Sequence, residues 1–370
     1  MVDEMTNFSA SNERIKRLYF KFLKEAKGNS EATVDESAKA IKRFEIFTGF
    51  RDFKAFHIEQ AVAFKKDLAQ QMGRSSGERL SKATLYRTGA HLRRFFLWIA
   101  DQRGYKSRIA RSDADYFNLS EKDCRIARAT RAKRVPTVEQ VLHAIRSMPT
   151  SNEIELRNRA VVAFILLTGA RDSAVASMKL KHIDLDSRSV YQDAREVDTK
   201  FSKSFWTAFF PVGAEVEKIV VEWVTYLRTQ KLWSNEDPIF PKTRVGLGKS
   251  HEFELFGLMR EHWKSTDSIR KIFRDSFERC GLPYFNPHSV RDTLVQLGLA
   301  RCRTAEEFKA WSQNIGHDGV LVSFTSYGEL TNQRRAEIME RLSFEDGGSR
   351  LDNKTLESLL VQLRNAADQI

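Results

Sequence analysis

The feature of this sequence that most limits its fold is a long stretch with a single periodicity. From about Asn12 to Asn118 apolar residues recur every three to four positions, as at Leu85, Leu92 and Phe96, and no β alternation of useful length appears. Glycine-containing polar turns separate the periodic segments. The pattern predicts a small all-helical domain over residues 1–119.

A basic stretch follows at residues 120–135 and predicts a linker. Its cations are Lys122, Arg125, Arg128, Arg131, Lys133 and Arg134, against only Glu121 and Asp123. Two roles are open at this point. The segment is either a solvated linker or a segment that lies along a phosphate backbone. The second role is favoured because each phosphate that a cation neutralises releases a counterion, which strengthens binding.

The second half of the chain mixes helical and β patterns. Thr137 and Gln140 form a capping-box pattern, and a long apolar helix is predicted through residues 161–167. Two β-like runs, residues 190–197 and 205–212, flank a polar, basic tip and predict a hairpin.

Helical periodicity resumes from about Ser268, and a second capping box begins at Thr304. The sequence therefore predicts a mainly α protein with a small β-sheet, an α+β fold. We assign residues 136–345 to this second domain and residues 346–370 to a tail helix.

The composition indicates the chemical class of the binding partner and the cellular location. Hydrophobic residues make up 41% and charged residues 30%, which suits a packed core. Lys and Arg number 61 against 49 Asp and Glu, a net charge of +12 that favours a polyanionic partner. The three cysteines form no Cys-x-x-Cys pair, and neither a signal core nor an apolar run long enough for a bilayer appears. We expect no metal site, no membrane association and a reducing, cytoplasmic location.

Groups able to handle a phosphodiester occur in order along this half. They are Arg171 after Thr168-Gly169-Ala170, Lys200 and Lys203 on the hairpin tip, His288 and Arg291 at a helix start, His317 after Gly316, and Tyr327. Arginines can clamp a phosphate, histidines and lysine can move protons, and a tyrosine hydroxyl can attack phosphorus. Singly, each residue has a structural alternative, such as a helix cap, a loop histidine or a packing tyrosine. The order of all of them is the stronger signal.

In this order the residues resemble those of the tyrosine recombinases, or phage-type integrases, over most of the chain. The resemblance implies a SAM-like helical core-binding domain followed by a tyrosine recombinase catalytic domain. It implies catalytic roles for Arg171, Lys200, His288, Arg291, His317 and Tyr327. Lys203 is the alternative lysine, because it lies nearer the usual distance before Pro211.

Two positions depart from the family pattern. Ala174 stands where family members often carry an acidic residue, which puts in doubt a carboxylate that would orient the active-site bases. Tyr327 lies ten residues after His317 rather than the usual nine. Position 326 is serine, so Tyr327 is still the candidate nucleophile in this neighbourhood.

The implied function is site-specific DNA recombination through a 3′-phosphotyrosyl intermediate, without a cofactor, in integration or excision of a mobile element. The implied partners are double-stranded DNA, three further copies in a homotetramer on paired sites, and accessory DNA-bending proteins, which would make the protein nucleoid-associated. The leucine-spaced tail would dock either on its own domain or on a neighbouring protomer. A type IB topoisomerase-like relaxing enzyme shares the chemistry, and a non-catalytic DNA-binding relative is the third reading.

DNA contacts are expected on the helical domain as well as on the catalytic one. A basic helical stretch and the linker supply most candidates, and the hairpin tip supplies one. The candidates are Lys82, Thr84, Arg87, His91, Arg94, Arg125, Arg128 and Lys203.

Overall fold

The structure, a computed structural model, describes residues 8–73, 77–129, 134–199, 202–247 and 252–317. Backbone contacts divide the chain into two compact units, residues 1–130 and 131–370. We call them unit 1 and unit 2. Of the predicted regions, the tail at residues 346–370 lies outside the described residues.

Unit 1 is helical throughout its described part. Its helices are α1 (Ala10–Lys21, continued by a π turn at Phe22–Ala26), α2 (Glu31–Phe47), α3 (Ile58–Leu68), α4 (Lys82–Ile99) and α5 (Glu121–Arg128), with 3-10 turns at Phe53–Ala55 and Arg111–Phe117. Serine side chains start several of them. Ser30, Ser81 and Ser120 each accept a hydrogen bond from a backbone amide of the first helical turn.

Aromatic rings form the core of unit 1. Phe44 meets the rings of Phe96 and Phe117 edge-on, with centroid distances of 5.4 and 5.5 Å. Gly89 lets the 3-10 turn at Phe117 approach α4, because a Cβ at position 89 would lie 2.6 Å from the Phe117 carbonyl oxygen. The apolar periodicity of the sequence thus becomes a closed helical core.

Part of the predicted linker is a helix of unit 1. Residues 121–128 form α5, which lies against α4. Lys82 on α4 pairs with Asp123 at 2.8 Å, and the Arg128 guanidinium donates to the Tyr86 hydroxyl at 3.0 Å. The Ser120 cap and these cross-helix contacts stabilise a helix where the sequence alone showed mainly charge. Residues 130–133 lie outside the described part.

Unit 2 combines seven helices with two small sheets in the residues described. The helices are α6 (Val138–Ser147), α7 (Glu153–Thr168), α8 (Asp172–Ser177), α9 (Ala214–Thr229), α10 (Asp267–Arg279), α11 (Ser289–Arg301) and α12 (Ala305–Asn314), with a 3-10 turn at Leu180–His182. The strands are β1 (Ile183–Asp184), β2 (Ser189–Gln192), β3 (Phe205–Ala208), β4 (Thr243–Leu247) and β5 (Phe253–Leu258). This mainly α architecture confirms the predicted fold class.

The first sheet is the predicted hairpin with a short added strand. Its order is β1-β2-β3, all antiparallel, with Val190 opposite Thr207. Both long strands are shorter than predicted. A turn in which the amides of Glu196 and Val197 bond to the Asp193 carbonyl replaces the end of the first run. The second run leaves the sheet because the Phe210 amide bonds to Leu167 on α7, at 2.8 Å.

Helix α7 forms the centre of unit 2. Residues 160–168 are all buried, which explains why this helix is apolar on every side rather than along one stripe. The chain beyond α7 therefore emerges from the middle of the domain. No helix within the described residues is both long enough and apolar enough to cross a membrane.

Candidate active site

The first candidate arginine follows directly from the end of α7. Gly169 terminates this helix in a left-handed conformation, with φ of 61°. A Cβ there would lie 3.1 Å from Leu294 Cδ1 and 3.9 Å from Arg291 Nη1, both on α11. Glycine thus allows the turn and the close approach of α11. Arg171 comes two residues later, half-buried, as the N-cap residue of α8.

Arg291 joins two loops that are far apart in the sequence. Its side chain is buried, with only 3% of the residue surface exposed. Nη1 donates to the Gly169 carbonyl oxygen, and Nη2 donates to the Ile315 carbonyl oxygen at 2.8 Å. Gly169 lies two residues before Arg171, and Ile315 lies two residues before His317. The guanidinium therefore brings the segments that carry these two residues to one place.

The buried position of Arg291 disfavours the charged form of its guanidinium. Burial, and to a smaller extent the neighbouring positive charge of Arg171, lower the pKa of its guanidinium to about 9, against the opposing effect of Asp292. The group still carries its charge at neutral pH. Two neighbouring guanidinium groups together favour the binding of an anion between them.

The turn that carries His317 packs against the β3 strand. Gly316 has φ of 82°, and a Cβ at that position would lie 2.6 Å from the Phe205 ring. The His317 amide donates to the Ser312 carbonyl oxygen at 3.2 Å. His317 is half-buried at the end of this turn.

His288 lies at the start of α11. It is exposed and occupies the N-cap position, and its carbonyl oxygen accepts from the Arg291 amide at 3.1 Å. The predicted three-residue spacing therefore falls on the first turn of a helix. The N-terminus of a helix carries partial positive charge, which favours a bound anion.

The hairpin tip is tied to α8 near the first arginine. The Ser173 hydroxyl donates to the Asp198 carbonyl oxygen at 3.0 Å, and the Asp198 amide donates to the Ser177 hydroxyl at 2.9 Å. Lys203 is exposed two residues before β3 begins. Lys200 and Tyr327 lie outside the described residues.

Ala174 is buried within α8, with 1% of its surface exposed. The carboxylate that α8 does carry, Asp172, pairs with Arg270 of α10 at 3.2 Å. The position at which the family often has an acidic side chain is therefore filled by a methyl group packed in the core.

The DNA-contact candidates of unit 1 fall into two groups. Lys82, Arg125 and Arg128 are engaged within the unit, by Asp123, Glu121 and Tyr86 respectively. Thr84 lies in the capping turn of α4, where its hydroxyl is 3.0 Å from that of Ser81.

Arg87, His91 and Arg94 recur along one face of α4. Arg87 and Arg94 are exposed, and neither pairs with a carboxylate among the residues that the structure describes. His91 Nδ1 lies 2.8 Å from the Ser37 hydroxyl. Burial lowers the pKa of His91, and the nearby Arg94 and Arg87 lower it further against the opposing effect of Glu36.

Sequence reasoning missed the groups that hold the site together. These are the carbonyl oxygens of Gly169 and Ile315, the Ser173 and Ser177 hydroxyls, and the Asn314 side chain. Backbone oxygens are the same in every residue, so no sequence pattern marks them. The one available signal was glycine before each candidate, at positions 169 and 316.

Comparison with known proteins gives a family match and a set of structural neighbours. Residues 134–297 match the model of the phage integrase family. No curated protein matches the sequence significantly.

Solved structures match nearly the whole chain. A lambda integrase dimer bound to a COC′ core site has a TM-score of 0.59 at 13% identity, covering 86% of this chain and 96% of its own. The Tn1549 transposon integrase in complex with transposon right end DNA has a TM-score of 0.55 at 15% identity, covering 89% and 99%. The XerH site-specific recombinase bound to difH has a TM-score of 0.53 at 16% identity, covering 91% and 86%. At these identities the likeness is one of fold.

Proposed function

We propose that this chain, whose residues 134–297 match the phage integrase family model, is a site-specific recombinase that cleaves and rejoins double-stranded DNA through a 3′-phosphotyrosyl intermediate. The observation that carries the proposal is the position of Arg291. Its guanidinium bonds to both Gly169 and Ile315, so that Arg171 and His317 lie on segments meeting at one buried cation. Integration or excision of a mobile element is the proposed role.

In the first step Tyr327 attacks the scissile phosphorus, the P–O5′ bond breaks, and a 3′-phosphotyrosyl bond forms. The unperturbed pKa of a tyrosine is about 10, so its proton must leave during attack, and His288 is our candidate acceptor. Arg171 and Arg291 would donate to the non-bridging oxygens, where negative charge develops, and His317 would add another donor.

The leaving 5′-oxygen takes a proton from the hairpin lysine. A 5′-hydroxyl of a second DNA end then attacks the phosphotyrosine and gives its proton to the hairpin lysine, the P–O bond to tyrosine breaks, and Tyr327 regains its proton from His288. The phosphotyrosyl bond preserves the energy of the phosphodiester, so religation requires no nucleotide hydrolysis. Two rounds exchange a pair of strands in each duplex.

Double-stranded DNA is the partner, as it is for the structural neighbours solved with DNA. We further propose a homotetramer on paired sites, since two duplexes present four scissile phosphates. Accessory DNA-bending proteins would bring the sites together.

The proposal is tested in two stages with the full chain. Incubation with host DNA, followed by denaturation and mapping of DNA covalently attached to protein, should identify discrete target sites. Two duplexes carrying such a site should then exchange ends. An enzyme that only relaxes DNA would form the adduct and reseal the same duplex without exchange.

The hairpin lysine is assigned with a chemically altered target. We expect Lys200→Ala to lower cleavage of an ordinary duplex by about a hundredfold or more, because the 5′-oxygen leaves poorly without a general acid. A duplex with sulfur in place of the bridging 5′-oxygen should be cleaved at nearly the wild-type rate, since a thiolate leaves without a proton. The measurement is adduct formation over time on both duplexes. The same pattern in Lys203→Ala, and not in Lys200→Ala, would move the role to Lys203.

The exposed face of α4 is the part of unit 1 best suited to phosphate binding. Arg87 and Arg94 lie two turns apart and are not committed to carboxylates within the described residues. Lys82 and Arg128, by contrast, would have to leave Asp123 and Tyr86 to reach a phosphate. Arg125 is 82% exposed, so its pair with Glu121 is easily exchanged for a phosphate.

Replacing both Arg87 and Arg94 by alanine should lower the affinity for DNA and also make that affinity less dependent on salt concentration. Each lost phosphate contact should reduce the slope of log K against log salt by about 0.9, so the pair by roughly 2. Titrations of labelled duplex at several salt concentrations measure the slope. Arg103→Ala with Lys106→Ala is the matched control, because it removes the same charge just beyond the end of α4. Equal slopes for both double variants would remove this face from the interface.

A further inference from the structure

The outer edge of β3 is paired by a side chain. In the first sheet β3 follows β2 at the end of the order, so one edge of β3 has no neighbouring strand among the described residues. The Ala208 amide donates to Asn314 Oδ1 at 2.7 Å, and Asn314 Nδ2 donates to the Ala208 carbonyl oxygen at 2.9 Å. The Asn314 amide thus makes the two hydrogen bonds that a fourth strand would make at this residue.

Asn314 connects two parts of the candidate site. It is the last residue of α12 and lies three positions before His317. Ala208 belongs to the strand that leads out of the lysine-bearing tip, in which Lys203 lies two residues before β3. The side chain therefore joins the hairpin to the turn that Arg291 holds through Ile315.

The turn has supports besides Asn314, whereas the hydrogen bonds described at the outer edge of β3 all go to Asn314. Trp311 Nε1 donates to the Leu294 carbonyl oxygen at 2.8 Å, Arg291 donates to Ile315, and Ile315 is only 1% exposed. These contacts do not involve the Asn314 side chain. At the edge of β3, the further hydrogen bond from Thr207 goes to the Asn314 backbone oxygen, which any residue would supply. Loss of the amide should consequently loosen the hairpin more than the turn.

We propose that Asn314 is a positioning residue for the hairpin lysine, acting by fixing the outer edge of β3 relative to Arg291 and His317. This inference rests on the proposed strand-transfer function. It assigns Asn314 no contact with DNA. Its effect falls on protonation of the leaving 5′-oxygen, because that is the step for which the hairpin must be correctly placed.

The test uses Asn314→Ala and the two target duplexes described above. On the ordinary duplex we expect adduct formation to slow by about tenfold to a hundredfold, the range typical of a small misplacement of a catalytic group. On the duplex with bridging sulfur the rate should lie within about threefold of wild type, because no general acid is needed. Gln313→Ala, an exposed neighbour on the same helix, should behave as wild type on both.

Other outcomes separate the alternatives. An equal loss on both duplexes, as expected for His317→Ala, would show that Asn314 acts through the turn or the fold and would overturn the proposal. So would an unchanged rate on both. Asn314→Asp is the second variant, since it keeps the acceptor for the Ala208 amide and the size of the side chain but loses the donor; it should show the same selective loss. If wild-type protein formed no adduct with either duplex, the proposed function itself would fail.

Discussion

Tyr327→Phe is expected to abolish covalent attachment to DNA while leaving DNA affinity unchanged. The substitution removes only the hydroxyl, so the arginines and the exposed face of α4 still bind phosphates, but no nucleophile is present to attack phosphorus. Residual adduct should fall below about one ten-thousandth of wild type, the loss found when a covalent nucleophile is removed. Denaturing gels with a nicked target measure attachment, and a native gel measures binding.

The control for this variant is a tyrosine that has no role in the proposed mechanism. Tyr116 is 44% exposed in unit 1, and Tyr116→Phe should form adduct at the wild-type rate. Continued cleavage by Tyr327→Phe would reject Tyr327 as the nucleophile and direct attention to another hydroxyl.

Arg291→Lys is expected to lower both catalysis and stability, whereas Arg171→Lys should mainly lower catalysis. A lysine at position 291 has one ammonium and cannot bond to Gly169 and Ile315 with the fork geometry of a guanidinium. Each buried carbonyl left unsatisfied costs about 1–3 kcal/mol in unfolding free energy. Loss of a bidentate donor to the phosphate should slow cleavage by about a hundredfold to a thousandfold in either variant.

Urea unfolding followed by tryptophan fluorescence measures the stability difference, and Trp311 on α12 reports on the region that Arg291 joins. Arg301→Lys, at the exposed end of the same helix, is the matched control and should change neither quantity. Equal stability of Arg291→Lys and wild type would show that the two carbonyl contacts do not hold the site together.

Local patterns in the sequence predicted much of the fold. The capping boxes at Thr137 and Thr304 begin α6 and α12, as predicted, because a cap depends only on residues within one turn. The hairpin was predicted too, but its strands end early, since Phe210 bonds to α7 instead of extending the sheet. Helix α5 was not predicted, because its residues are mostly charged and it is stabilised by contacts with α4, a helix more than 20 residues earlier in the sequence.

The sequence by itself determined the order of the chemical groups, and that order predicted the family resemblance and the proposed type of reaction. It also placed glycine at positions 169 and 316, where the structure has left-handed backbone. These features are local, so they are visible without a fold.

Only the tertiary structure decided how the groups are held. It places the Arg291 guanidinium against a carbonyl 122 residues away and the Asn314 amide against a strand 106 residues away. Within the described residues, it also shows Lys82 paired with Asp123 and no carboxylate paired with Arg87 or Arg94. Such contacts depend on backbone atoms common to all residues and on packing between distant segments, and no local pattern of side chains encodes them.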